Sequence, residues 1–163
     1  MLNKGLLVVW DSKEKMPTVY SDVAFWQSYN LIDNHTNISI PKLVEEDSDA
    51  LRSSYLSLIY DLGETKINNK RVIDILEIFS GFSYWWMSLL VEKCNFAKSP
   101  QVNNVIKLIA FKHWLNNKRY KHIQLVSSNV ELATAMQLLC TELSVAFKWE
   151  QLENKIDKIS IIR

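Results

Sequence analysis

Two short polar clusters stand directly after apolar runs in this chain, where side chains of these types could contact a ligand. Trp10-Asp11-Ser12 follows "GLLVV", and Ser127-Ser128-Asn129 follows "HIQLV". A tryptophan ring can stack on the face of a sugar, while an asparagine side chain and the first-turn N–H groups of a helix offer hydrogen-bond donors. Trp10, Asp11, Ser127, Ser128 and Asn129 are therefore the candidate ligand residues. Glu92 and Lys93, at the polar end of the aromatic run "FSYWWMSLLVEK", are candidate contributors. The same residues have plainer roles to set beside these: Ser-Ser-Asn after a strand also caps a helix, and Trp10 can close a core.

The elements that must position these clusters are legible in the pattern around them. "GLLVVW" (Gly5 to Trp10) is a short apolar run ended by the polar "DSKEK", the pattern of a parallel strand buried on both faces. A strand from His122 to Val126, a helix "VELATAMQLLCTEL" capped by Asn129, and an alternating strand "VAFKWEQL" make a βαβ unit with parallel strands and a right-handed crossover. Open parallel sheets bind ligands at the carboxyl ends of their strands, beside helix N-termini, which is where both polar clusters fall.

The middle of the chain reads as helical. "SDVAFWQSYNLI" has the form of a helix capped by Ser21, and "NISIP" alternates before Pro41. Leu43 to Leu62 keeps helical spacing after an acidic first turn, with Gly63 as its C-cap, and "KRVIDILEIF" reads as a helix stopped at Ser80-Gly81. Ser83 then caps the aromatic segment, where helical spacing puts Phe82, Trp85, Trp86, Leu89 and Leu90 on one side and Tyr84, Met87 and Val91 on the other. A helix apolar all round belongs in a core, so Trp85 and Trp86 are both expected to be buried. Ser99 and Pro100 open a further helix running to about Asn116. The expected fold is a small three-layer, Rossmann-like α/β domain. Its sheet is short and mainly parallel, and a large helical insertion separates the first and second strands. Residues 1–163 form a single domain on this reading.

Composition removes several function classes. Nineteen basic and eighteen acidic side chains give a formal charge of +1 without a basic stripe, so no nucleic-acid partner is expected. Cys94 and Cys140 lie far apart, and His113 and His122 have no ligand-spaced companions, which indicates neither a metal site nor a disulfide framework and fits a reduced, cytoplasmic setting. Gly5, Gly63 and Gly81 are the only glycines, and none forms a dinucleotide or Walker loop, so no cofactor is expected. Hydrolase elbow and HExxH patterns are missing too. The N-terminus lacks a signal-peptide core, and the uncharged stretch Ile78 to Val91 falls short of a membrane span. Peripheral membrane association stays open through the aromatic run, although that run has no basic face.

The ordered blocks "YLSLIYDLGE", "FSYWWMSLLVEKC", "KSPQVNNVIKLIAFKHWL" and "IQLVSSNVELATAMQLLC" resemble a family of bacterial surface carbohydrate biosynthesis proteins from lipopolysaccharide O-antigen gene regions. The Ser-Tyr-Trp-Trp-Met and Glu-Lys-Cys block is the most specific part, and the resemblance covers residues 38–140. Members are considerably longer, with a second half like the remainder of a two-domain glycosyltransferase. The resemblance implies an amino-terminal, acceptor-side domain, inactive when isolated. Its ligand would be a saccharide or lipid-linked saccharide, and its place the cytoplasm or the inner face of the membrane. The strand-like "KIDKISIIR" at the end fits a chain that continues into a second domain. The other reading is a non-catalytic scaffold whose tryptophans anchor a protein partner.

Overall fold

The computed structural model describes residues 4–16, 20, 22–29, 36–88, 90–91 and 100–152. Its fold is α/β, built on a five-stranded sheet in which every neighbouring pair is parallel. The strands are β1 (Lys4–Asp11), β2 (Asp22–Phe25), β3 (Thr36–Ser39), β4 (Tyr120–Ser127) and β5 (Ala146–Gln151). The spatial order is β3-β2-β1-β4-β5, so the chain starts at the centre, builds one way, and then crosses to the other side of β1. The main helices are α1 (Ile40–Glu46), α2 (Ser48–Glu64), α3 (Pro100–Asn116) and α4 (Val130–Glu142).

The chain divides into two compact units, one made of residues 1–41 and 115–163, the other of residues 42–114. The first holds the sheet. Leu7, Val8 and Val9 of β1 are each at most 1% exposed, which is the double-sided burial expected of a central parallel strand. One face gathers Val8, Trp10, Val23, Phe25 and Val126, with Met16, Tyr20 and Leu152 packed against them. Helix α4 packs against β4 and β5 and buries Leu132, Ala133, Met136, Leu139 and Cys140. Their spacing is the apolar stripe of an amphipathic helix. Burial pushes the Cys140 thiol up to about 11.

The long helical stretch follows the third strand, not the first. Residues 22–25, read from sequence as part of a helix, form β2 instead and pair with β1 from Val8↔Val23 to Trp10↔Phe25. Tertiary pairing overrides a weak helical pattern when Val, Ala and Phe fit a buried pleated surface. The proposed cap Ser21 lies outside the described residues, as do Ser99 and the terminal "KIDKISIIR".

In the second unit, Leu51 of α2 meets Val102, Ile106 and Ala110 of α3, with Tyr55 beside them donating its hydroxyl to the Leu90 carbonyl at 2.8 Å. The helix expected from 43 to 62 is broken at Asp47 into α1 and α2. Gly63 is no cap: it sits within α2, buried, and a Cβ there would stand 3.0 Å from the Trp85 indole nitrogen. Glycine is used here for close approach.

Residues 66–88 also depart from the helical reading. Lys66–Ile67 and Lys70–Arg71 form a small hairpin whose turn residues Asn68 and Asn69 have φ of 51° and 65°, the left-handed values a two-residue turn requires. After one helical turn at Val72–Ile75, Glu77–Phe79 and Phe82–Ser83 form a second hairpin, turned at Gly81 with φ 82°. Ser83 does cap the aromatic segment, accepting the Trp85 N–H, but Tyr84–Met87 is a single 3-10 turn. Adjacent side chains diverge on such a turn. Trp85 is 7% exposed against Gly63, whereas Trp86 is 55% exposed, which corrects the expectation that both are buried.

Two outcomes follow from this packing. Trp85→Ala should cost about 3–5 kcal/mol in denaturant unfolding, whereas Trp86→Ala should stay within about 0.5 kcal/mol. Equal losses at the two positions would contradict the inward and outward assignment. Cys140, buried and with its thiol pushed up to about 11, should react with a thiol reagent near neutral pH only as fast as the chain opens. Peptide mapping of labelled protein reads this, and rapid labelling of Cys140 in the native state would refute it.

Candidate functional site

Ligand sites of open parallel sheets form where the strand order reverses, because the loops leaving the two central strands turn apart there. In this sheet that place is between β1 and β4. Their register runs from Lys4↔Tyr120 to Asp11↔Ser127, so the last residues of the two strands lie side by side. Period-two alternation then directs Asp11 and Ser127 to the same face.

The Ser127 hydroxyl donates to Asp11 Oδ2 at 2.6 Å and in turn accepts the Asn129 N–H at 2.9 Å. Gln27, just beyond β2, donates its side-chain amide to Asp11 Oδ1 at 2.6 Å. Each carboxylate oxygen thus holds one charge-assisted bond in short geometry. A carboxylate has about four acceptor positions, so capacity remains for hydroxyl or amine groups of a ligand. Asp11 is 8% exposed and Ser127 is fully buried, while Gln27 is exposed and Ser12, Ser128 and Asn129 are half-buried. The rim is accordingly polar and the base is fixed.

Asn129 is the helix cap that its sequence suggests. Its side chain accepts the Leu132 N–H at 2.9 Å, and its carbonyl accepts the Ala133 N–H at 3.1 Å. The Ser127 carbonyl accepts from the Trp149 indole at 3.0 Å and from the Leu152 backbone at 3.1 Å, which ties the end of β5 to the same corner. The Ser12 hydroxyl accepts the Glu14 N–H at 3.0 Å and shapes the loop after β1.

The structure brings Asp11, Ser127 and Asn129 into one bonded cluster and sets Ser128 at its rim. Trp10 is elsewhere: its ring is 6% exposed in the core cluster, and its indole donates to the Glu14 carbonyl at 3.2 Å. A buried ring offers no face for stacking, because alternation along β1 turns residue 10 away from residue 11. Glu92 and Lys93 lie outside the described residues. Gln27 is the residue that sequence reading missed. Reading 22–25 as a strand would have exposed it, since Gln27 follows β2 as Asp11 ends β1.

A cavity lies at the other end of the sheet, lined by Asn116, Lys118, Arg119, Tyr120, Leu143 and Ser144. It stands at the amino end of β4, away from the strand ends where open sheets place ligands. Among the described residues no group of three or more His, Cys, Asp or Glu side chains could hold a metal ion. No helix among them is long and apolar enough to cross a membrane. Comparison of the chain with family models, curated proteins and solved structures finds no match in any of the three.

The cluster predicts a graded response. Ser127→Ala leaves a buried carboxylate oxygen and the Asn129 N–H short of a partner and should cost about 1–3 kcal/mol. Asn129→Ala should cost about 1 kcal/mol through the lost cap. Urea unfolding measures both, and a Ser127→Ala chain as stable as the parent would show that the cluster does not hold the two strands.

Proposed function

We propose that this chain is a saccharide-binding α/β domain with a Rossmann-like sheet, the acceptor side of a glycosyltransferase-like protein of bacterial surface polysaccharide synthesis. The observation that carries the reading is the Asp11 carboxylate, fixed by Ser127 and Gln27 at the reversal point of the parallel sheet. A fixed carboxylate ringed by amide and hydroxyl groups suits vicinal hydroxyls, which need acceptors and donors at short spacing.

The turns after β1 and β4 contain no glycine, so neither resembles the backbone cradle that grips a nucleotide pyrophosphate. That favours the acceptor over the sugar-nucleotide donor as the ligand. The pathway rests on the sequence resemblance in residues 38–140. On this reading the donor site belongs to a second domain, the isolated chain is inactive, and the protein works in the cytoplasm or at the inner face of the membrane. A scaffold role is the second reading, and the exposure of Trp86 favours it.

Titration calorimetry tests the proposal with saccharide acceptors and sugar nucleotides as separate ligands. A saccharide should bind in the millimolar range typical of shallow polar sites, and a sugar nucleotide should give no micromolar binding. Gln27→Ala, which alters an exposed side chain, should weaken saccharide binding roughly tenfold through loss of a bond at a charged group. Micromolar affinity for a sugar nucleotide, or saccharide binding unchanged in Gln27→Ala and Asp11→Ala, would overturn it.

A further inference from the structure

The cavity at the amino end of the sheet has a chemistry of its own. It measures about 320 Å³, at the lower end of the roughly 300–1,000 Å³ of small-molecule sites. All of its lining residues belong to the unit that holds the sheet, and they come from the end of α3, the start of β4 and the turn after α4. Buried Leu115 and Tyr120 give it an apolar wall. Lys118 and Arg119 bring two positive charges to it, Asn116 and Ser144 bring neutral polar groups, and none of the described lining residues is acidic. These four residues are exposed, so a solute reaches them directly from water. Arg119 makes no ion pair among the described residues.

Charge decides the class of ligand. Both α3 and α4 end at this cavity, and each helix carboxyl end carries roughly half a negative charge. The two full charges of Lys118 and Arg119 exceed that sum. Of the neighbouring acids, Asp22 takes a hydrogen bond from the Tyr120 hydroxyl and Glu142 is engaged as well, and neither lines the cavity.

The backbone at Ser144 is a second, independent sign. The Val145 N–H donates to the Cys140 carbonyl at 2.8 Å and the Ser144 N–H to the Thr141 carbonyl at 3.1 Å, the paired bonds that close a helix on a left-handed residue. Ser144 holds that position with φ 54°. Glycine is the residue such a position favours, because a Cβ strains the left-handed backbone. Strained residues of this kind gather at ligand sites, and here the strained residue lines the cavity and carries a hydroxyl.

We propose that this cavity binds a phosphomonoester. Two cations with neutral amide and hydroxyl donors match a dianionic group with three oxygens better than a carboxylate with one charge and two oxygens, and a guanidinium can engage two phosphate oxygens at once. The organic part of the ligand then lies against Leu115 and Tyr120. This site is separate from the Asp11 corner, which lies at the opposite end of the same strands.

Titration calorimetry of the full chain tests the assignment with glycerol 3-phosphate, inorganic phosphate and glycerol. Glycerol 3-phosphate should bind with a dissociation constant below about 1 mM, inorganic phosphate more weakly, and glycerol not at all. Arg119→Ala should weaken binding roughly tenfold, with Arg119→Lys recovering part of the loss. Ser144→Gly should weaken binding about threefold while leaving the chain at least as stable in urea, a separation that a purely structural role for Ser144 would not produce. Lys148→Ala, which removes an exposed charge on β5 outside the cavity, should leave the affinity unchanged. No heat at about 10 mM of either phosphate overturns the proposal, and so does an affinity that Arg119→Ala leaves intact or that Lys148→Ala lowers as much. Vesicles containing phosphatidic acid identify the source of the phosphate: retention that Arg119→Ala abolishes supports a lipid headgroup, and binding of glycerol 3-phosphate without retention supports a soluble ester.

Discussion

The bond between the Ser127 hydroxyl and Asp11 Oδ2 joins residues 116 apart in sequence and fixes the centre of the sheet. Closing a loop of that length costs about 4 kcal/mol in chain entropy by the logarithmic rule. Burial of Leu7, Val8, Val9, Ile123 and Leu125 along the same pair of strands, at roughly 1.5–3 kcal/mol for each side chain, exceeds that cost. Apolar burial therefore brings β1 and β4 together. The polar bond does something else: a one-residue slip of β4 would carry Ser127 to the opposite face and strand a buried carboxylate, so the pair specifies register.

The same register prepares a binding corner. Because β1 and β4 end at the same level, Asp11, Ser127 and the capping Asn129 share one hydrogen-bonded chain, and Gln27 joins from the neighbouring strand. Groups held this way need no reordering when a ligand arrives. The Trp149 indole and the Leu152 N–H, both bonded to the Ser127 carbonyl, extend the support to β5. Function is proposed for this corner since it combines a charged acceptor, a polar rim and the reversal of strand order.

What could be read from the sequence follows the strength of each local pattern. β1, α3, β4, α4 and β5 were legible because continuous apolar runs, Pro100 at a helix start and Asn129 at a cap each have one physical explanation. β2, only four residues long, offers too few positions to separate period 2 from period 3.6. The hairpins between 66 and 83 have strands of two or three residues, and their signals were the paired asparagines and Gly81, not an alternation. Trp86 was misplaced because a 3-10 turn repeats every three residues, so the side expected of an α-helix does not form. At the site, Asp11 and Asn129 could be named from their positions after apolar runs. Gln27 could not, because its strand was hidden, and Trp10 was drawn in by its type although alternation turns it into the core.

The most direct measurement is amide NMR of uniformly labelled chain titrated with a saccharide acceptor. Shifts confined to the amides of Asp11, Ser12, Gln27, Ser128 and Asn129, saturating with one dissociation constant, are the predicted result. Saturating shifts that leave these amides unmoved and cluster around the Lys118, Arg119 and Ser144 cavity would contradict a ligand site at the β1–β4 reversal.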